Sequence, residues 1–126
     1  MNRIPRISDT EWEVMNVLWS RSPLSADHVI RILQAADPSW HERTVKTLLN
    51  RLIKKKALGY RKEGRAYLYR PLVSKADCVS AVSESFLTRV FGGSLQPMIA
   101  HFAESREFSA DEITELKRLI KKTEGK

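Results

Sequence analysis

The stretch Glu42-Arg43-Thr44-Val45-Lys46-Thr47-Leu48-Leu49-Asn50-Arg51-Leu52-Ile53-Lys54-Lys55-Lys56 decides how the chain folds and what it meets. Val45, Leu48, Leu49, Leu52 and Ile53 stand at i, i+3, i+4, i+7 and i+8, which predicts one apolar stripe on a helix over about 42–56. Opposite that stripe lie Arg43, Lys46, Thr47, Asn50, Arg51 and Lys54, a polar strip with four cations and no acid. A merely solvated helix ordinarily mixes Glu and Lys at i, i+4. Here Glu42 stands alone in the first turn, where a carboxylate suits the helix dipole. The strip has about the length that a DNA major groove admits.

Working outward, the residues after this helix change period. Leu58 to Glu63 and Ala66 to Pro71, joined at Glu63-Gly64-Arg65, read as a β-hairpin with Tyr67 and Tyr69 on one face. Before it, Ser8-Asp9-Thr10-Glu11 forms a capping box that starts a first helix over about 9–20, with Trp12, Met15 and Trp19 on one face and Leu18 beside them. Ser25 caps a second helix over about 26–36 with Ala26, Val29, Ile30 and Leu33, ended by Asp37-Pro38. Either Ser39 or His41 caps the third. Three helices and then a hairpin is the order of a winged helix-turn-helix. In that arrangement Arg43, Thr44, Lys46 and Thr47 reach base edges, with Asn50 on the same face. Arg51, Lys54 and Lys55 grip phosphates, and Lys62 and Arg65 at the wing tip meet flanking phosphate or the minor groove.

The charge agrees with this placement. The 126-residue chain has a net charge of +7. Residues 1–73 hold fourteen Lys/Arg against seven Asp/Glu, and residues 74–126 hold eight of each. Residues 41–73 alone carry ten basic and two acidic side chains, a concentration that solubility does not require. Six to ten phosphate contacts would make affinity fall roughly 10³–10⁵-fold between low and near-physiological salt.

From Ser74 on, the pattern is helical again. Helices over about 75–91, 95–104 and 110–123 carry Val79, Val82, Phe86 and Val90; Leu95, Met98, Ile99 and Phe102; and Ile113, Leu116, Leu119 and Ile120. Ser94 and Ser109 stand at the starts of the last two. Three short helices cannot bury all these faces among themselves. Residues 74–126 are therefore expected to form a homodimer that spaces two reading helices about one DNA turn apart, through Val79, Val82, Phe86, Val90, Leu95, Met98, Ile99, Phe102, Ile113, Leu116 and Ile120. The fold class is thus mostly α with a small β-hairpin: a winged helix-turn-helix over 1–73 and a three-helix dimerisation domain over 74–126.

Several functions find no support. With 42% hydrophobic and 29% charged residues the chain is a globular one, without an apolar run long enough to insert in a membrane and without a signal peptide. One cysteine, Cys78, excludes an internal disulfide framework and suits the reducing cytoplasm. His28, His41 and His101 lack a histidine or cysteine partner at i+3 or i+4, so neither a metal site nor a cofactor is expected. No nucleophile elbow or phosphate loop occurs, which argues against an enzyme. Exposed aromatics outside the hairpin are few, which disfavours an RNA-binding winged helix. An adaptor meeting an acidic protein remains a second alternative.

The segments Ile7-Ser8-Asp9-Thr10-Glu11-Trp12-Glu13-Val14-Met15-Asn16-Val17-Leu18-Trp19 and Trp40-His41-Glu42-Arg43-Thr44-Val45-Lys46-Thr47-Leu48-Leu49-Asn50-Arg51-Leu52, with Ser109-Ala110-Asp111-Glu112-Ile113-Thr114-Glu115-Leu116, resemble the penicillinase-repressor family. The resemblance implies a repressor of β-lactam resistance genes, or of genes of similar layout; the alternative is a winged-helix regulator of other genes, in stress or metal response, that is not controlled by cleavage. It also implies a membrane sensor metalloprotease system that detects the antibiotic, and a cut in the dimerisation domain between Asn and Phe. Here that position reads His101-Phe102, with the Phe kept and the Asn replaced. The C-terminal cysteine cluster of a copper-sensing branch is not present in this sequence.

Overall fold

The structure is a computed structural model that describes residues 4–124. Its elements are α1 (Asp9–Ser20), β1 (Leu24–Ser25), α2 (Ala26–Ala36), α3 (Glu42–Lys54), β2 (Leu58–Glu63), β3 (Ala66–Pro71), α4 (Lys75–Phe91), α5 (Leu95–Ser105) and α6 (Ala110–Glu124). They form two compact units, one through Val82 and one from Ser83, so that α4 runs across the division. Cys78, near the start of α4, is buried and belongs to the first unit.

In the first unit the helix starts follow local chemistry. Ser8 accepts from the Glu11 N–H at 3.2 Å while its own N–H donates to Glu11 Oε1 at 2.8 Å, closing the capping box. Ser25 Oγ accepts from the His28 N–H at 3.2 Å. At α3 the cap is His41, whose Nδ1 accepts from the Arg43 N–H; Ser39 bonds Asp37 instead. The helix ends earlier than its periodicity suggests. The Ala57 N–H bonds the Leu52 carbonyl and the Lys56 N–H bonds the Ile53 carbonyl, each at 3.0 Å, while Lys56 takes a left-handed φ of 65°. That is a Schellman stop with lysine where glycine is usual.

The core joins Val14, Met15 and Leu18 of α1, Val29, Ile30 and Leu33 of α2, and Val45, Leu48, Leu49 and Leu52 of α3 with Ala57 and Leu58. On α1 the buried face is Glu11, Val14, Met15 and Leu18, a clean i, i+3, i+4, i+7 stripe. Trp12 and Trp19, expected on that face, flank it half-buried with ring centroids 5.2 Å apart. The Trp19 indole N–H donates to the Val73 carbonyl at 3.0 Å and so pins the chain after β3 to α1.

The hairpin is present with Glu63 opposite Ala66, leaving Gly64-Arg65 as a two-residue turn; Gly64 supplies its φ of +64°. The sheet has a third strand that periodicity does not show: β1 pairs with β3, Leu24 opposite Tyr69 and Ser25 opposite Leu68. Two residues are too short to display alternation, and their partner lies far along the chain.

The second unit contains the rest of α4 with α5 and α6. Gly92 and Gly93, both at positive φ, end α4. Ser109 and Glu112 close a second capping box at α6. Ser94 occupies the cap position of α5 but makes no side-chain cap bond, contrary to its expected role. Large apolar side chains remain exposed, among them Leu95 at 60% and Ile120 at 62%. Among the described residues no helix is long and apolar enough to cross a membrane.

Candidate nucleic-acid interface

α3 is built to present one face. Val45, Leu48, Leu49 and Leu52 are buried against α1 and α2, which turns Arg43, Thr44, Lys46, Thr47, Asn50, Arg51 and Lys54 outward to solvent. The residues assigned to base edges and phosphates from spacing therefore share one exposed strip, and the stripe opposite them fixes its direction. Lys62 in β2 and Arg65 in the turn are exposed on the wing.

Two electrostatic details correct the pattern-based reading. Glu42 does not stand alone: its Oε1 accepts from Lys46 Nζ at 3.0 Å, an exposed i, i+4 pair. That hydrogen bond, and then the charge of Glu42, raise the Lys46 pKa above its ordinary value. Arg43, Arg51 and Lys54 pair with no carboxylate among the described residues, so three cations of the strip are unengaged.

Lys55, expected to grip phosphate, is committed elsewhere. Its ammonium bonds the carboxylate of Glu11, which is 1% exposed, and donates to the Arg6 carbonyl at 2.8 Å. Burial pushes the Glu11 carboxyl upward, but hydrogen bonds from Lys55 and Ser8 outweigh it and hold the group below its ordinary value. Lys55 thus fastens the end of α3 to the start of α1. The signal in the sequence was a glutamate at the i position of an apolar stripe, which demands a cation from elsewhere in the fold.

The wing carries a feature the spacing only half showed. Tyr60, 53% exposed, faces Tyr69 across the strands and packs edge-to-face on Tyr67 with centroids 5.2 Å apart. Burial, followed by its neighbours Tyr60 and Tyr67, raises the Tyr69 hydroxyl pKa, while Lys46 of α3 opposes that shift. Tyr69 therefore lies within the field of Lys46. Cys78 is buried and has a thiol pushed up by burial and then by Asp77, which suits packing and not nucleophilic chemistry.

A three-helix core that aims a cationic helix outward, flanked by a two-stranded wing, defines a winged helix-turn-helix protein of the DNA-binding class. The penicillinase repressor family model matches residues 7–122. The chain is 41% identical to the penicillinase repressor of Bacillus licheniformis over 120 residues, covering 95% of this chain and 93% of that protein. It is 33% identical to the methicillin resistance regulatory protein MecI of Staphylococcus aureus strain N315, covering 96% of this chain and 98% of MecI. The solution structure of monomeric Bacillus licheniformis BlaI in complex with the blaP half-operator matches with a TM-score of 0.51 at 43% identity, over 61% of this chain and 93% of that one. The chain belongs to the penicillinase repressor family, a family of transcriptional repressors and not of enzymes.

The residues expected at a dimer interface are presented within each unit as follows. Val79 and Val82 are exposed on the first half of α4. In the second unit Phe86, Val90, Leu95, Ile99, Ile113, Leu116 and Ile120 are exposed, as is Leu119, and Met98 and Phe102 are half-buried. The His101-Phe102 bond lies in α5, with the His101 ring 5.5 Å from that of Phe102 and 6.3 Å from that of Phe91.

Proposed function

We propose that the chain is a homodimeric repressor that binds a palindromic operator in double-stranded DNA and blocks transcription by occupying it. The observation that carries this reading is the outward strip of α3, with three unengaged cations above a fully buried stripe. Arg43, Thr44, Lys46 and Thr47 read base edges, Asn50 lies beside them, and Arg51 and Lys54 hold phosphates. Lys62 and Arg65 extend the contact along the wing. Residues 1–73 bind DNA and residues 74–126 dimerise in the cytoplasm, which would bury the exposed apolar side chains of α4 to α6. The blaP half-operator bound by monomeric BlaI supports a two-half-site operator of this kind.

Induction proceeds by a cut at His101-Phe102 under a membrane sensor metalloprotease system, with resistance to β-lactam antibiotics as the regulated trait. Since the bond lies inside α5, the helix must open locally before a protease reaches it. The test of the DNA reading is a competition assay. Duplex DNA is expected to displace a labelled duplex at far lower concentration than single-stranded RNA, and Lys46→Ala with Arg51→Ala is expected to flatten the salt dependence. Equal displacement by the two polymers, or an unchanged salt slope in the double variant, would refute it.

A further inference from the structure

Glu42 is the only acid between Asp37 and Glu63, a span otherwise dominated by cations. It is the first residue of α3, where a reading helix approaches base edges. The cap of α3 is supplied by His41 Nδ1, so the Glu42 side chain is not spent on the helix end. Its carboxylate is exposed and holds Lys46 Nζ at 3.0 Å. A carboxylate is repelled by phosphate, and a lysine neutralised by it adds little to sequence-independent affinity. An acid beside this strip is therefore tolerated only where it faces a hydrogen-bond donor. In the major groove a C·G pair places the cytosine N4 amino donor beside the guanine O6 and N7 acceptors. An acceptor and a cationic donor 3.0 Å apart match that pattern.

We infer that Glu42 is a specificity-determining residue which, together with Lys46, reads one C·G base pair in each half-site and opposes docking on phosphates alone. The inference rests on the DNA reading proposed above. The exposed pair contributes little to stability, so Glu42→Gln is expected to fold normally.

The experiment is selection from a random-sequence duplex library by the full chain, followed by salt titrations on a selected duplex and on the unselected library. The unmodified chain enriches C·G at one position of each half-site. Glu42→Gln loses that preference, and its selected-to-random affinity ratio falls about tenfold, within the range of one base contact. Its binding to the random library becomes tighter, with a salt slope steeper by about 0.9, because Lys46 is freed for a phosphate. Glu13→Gln on exposed α1 makes the same change in net charge away from the strip and serves as the control. If Glu42→Gln keeps the base preference, or tracks Glu13→Gln in both affinity ratio and slope, the inference fails while the DNA reading stands. If the unmodified chain enriches no duplex at all, both fail.

Discussion

Lys55→Met removes the cation from a buried carboxylate while keeping an unbranched side chain only one heavy atom shorter. Glu11 is 1% exposed, and its oxygen accepts from Lys55 and from the Ser8 N–H at 2.8 Å. Stripping one partner from a fully buried ion pair costs about 3–5 kcal/mol. Two features reduce that figure here. The Lys55 side chain is 35% exposed, so water screens the pair, and Glu11 keeps the Ser8 N–H and the favourable end of α1. A loss of about 2 kcal/mol is expected, which for a unit of this size lowers Tm by about 10 °C. The dependence on pH supplies a second check. In the native chain Glu11 titrates below its ordinary value, so its contribution is complete above the unfolded glutamate pKa, about 4.3, and is lost as pH falls through the lower folded value. Without Lys55, burial dominates and the sign reverses, because protonation then relieves a buried charge. Thermal unfolding followed by circular dichroism from pH 7 to pH 4 should therefore show a wide Tm gap between the two proteins that narrows in acid. Adding Glu11→Leu to Lys55→Met should recover much of the loss. A variant that melts within about 2 °C of the parent at pH 7, with a gap constant across pH, would refute the reasoning.

Other outcomes follow from the same geometry. Lys56→Gly should raise stability by about 0.5–1 kcal/mol, the strain of a left-handed lysine less the added entropy of an unfolded glycine, read as a higher urea midpoint at unchanged m. Leu49→Ala, 1% exposed at the centre of the α3 stripe, should cost about 2–5 kcal/mol in the same titration. Leu95→Asp with Ile120→Asp on the exposed apolar faces should shift sedimentation from dimer to monomer and weaken binding to a two-half-site duplex far more than to a half-site. Ser8→Ala should cost about 1 kcal/mol through loss of the capping box and leave DNA affinity intact at temperatures where the domain is folded.

Much of the DNA-binding unit was legible because its signals are local and redundant. The α3 stripe, the Ser8–Glu11 box and the alternation through Tyr67 and Tyr69 each depend on residues within one element, and each recurs in the structure at the expected positions. What escaped depends on contacts between distant residues. β1 is only Leu24–Ser25 and exists through β3, more than forty residues on. Glu11 reads as a polar interruption until Lys55 is seen beside it. For the same reason Trp12 and Trp19 drew the apolar face of α1 one position too far round. The cationic strip was legible as a set of positions, whereas the partition of its cations was not. Lys46 and Lys55 are alike in sequence, yet one is held by an exposed neighbour on its own helix and the other by a buried acid on α1. The apolar faces of α4 to α6 were equally visible in both, since Leu95 and Ile120 are exposed among the described residues.

The most direct test of the docking face is an NMR titration of the isotope-labelled chain with duplex DNA. The account predicts that amide shifts concentrate at Arg43, Thr44, Lys46, Thr47, Asn50 and Arg51, with smaller changes at Lys62 and Arg65, and that Lys55 stays locked to Glu11. Shifts centred on α6, or spread evenly over the surface without saturation, would contradict it.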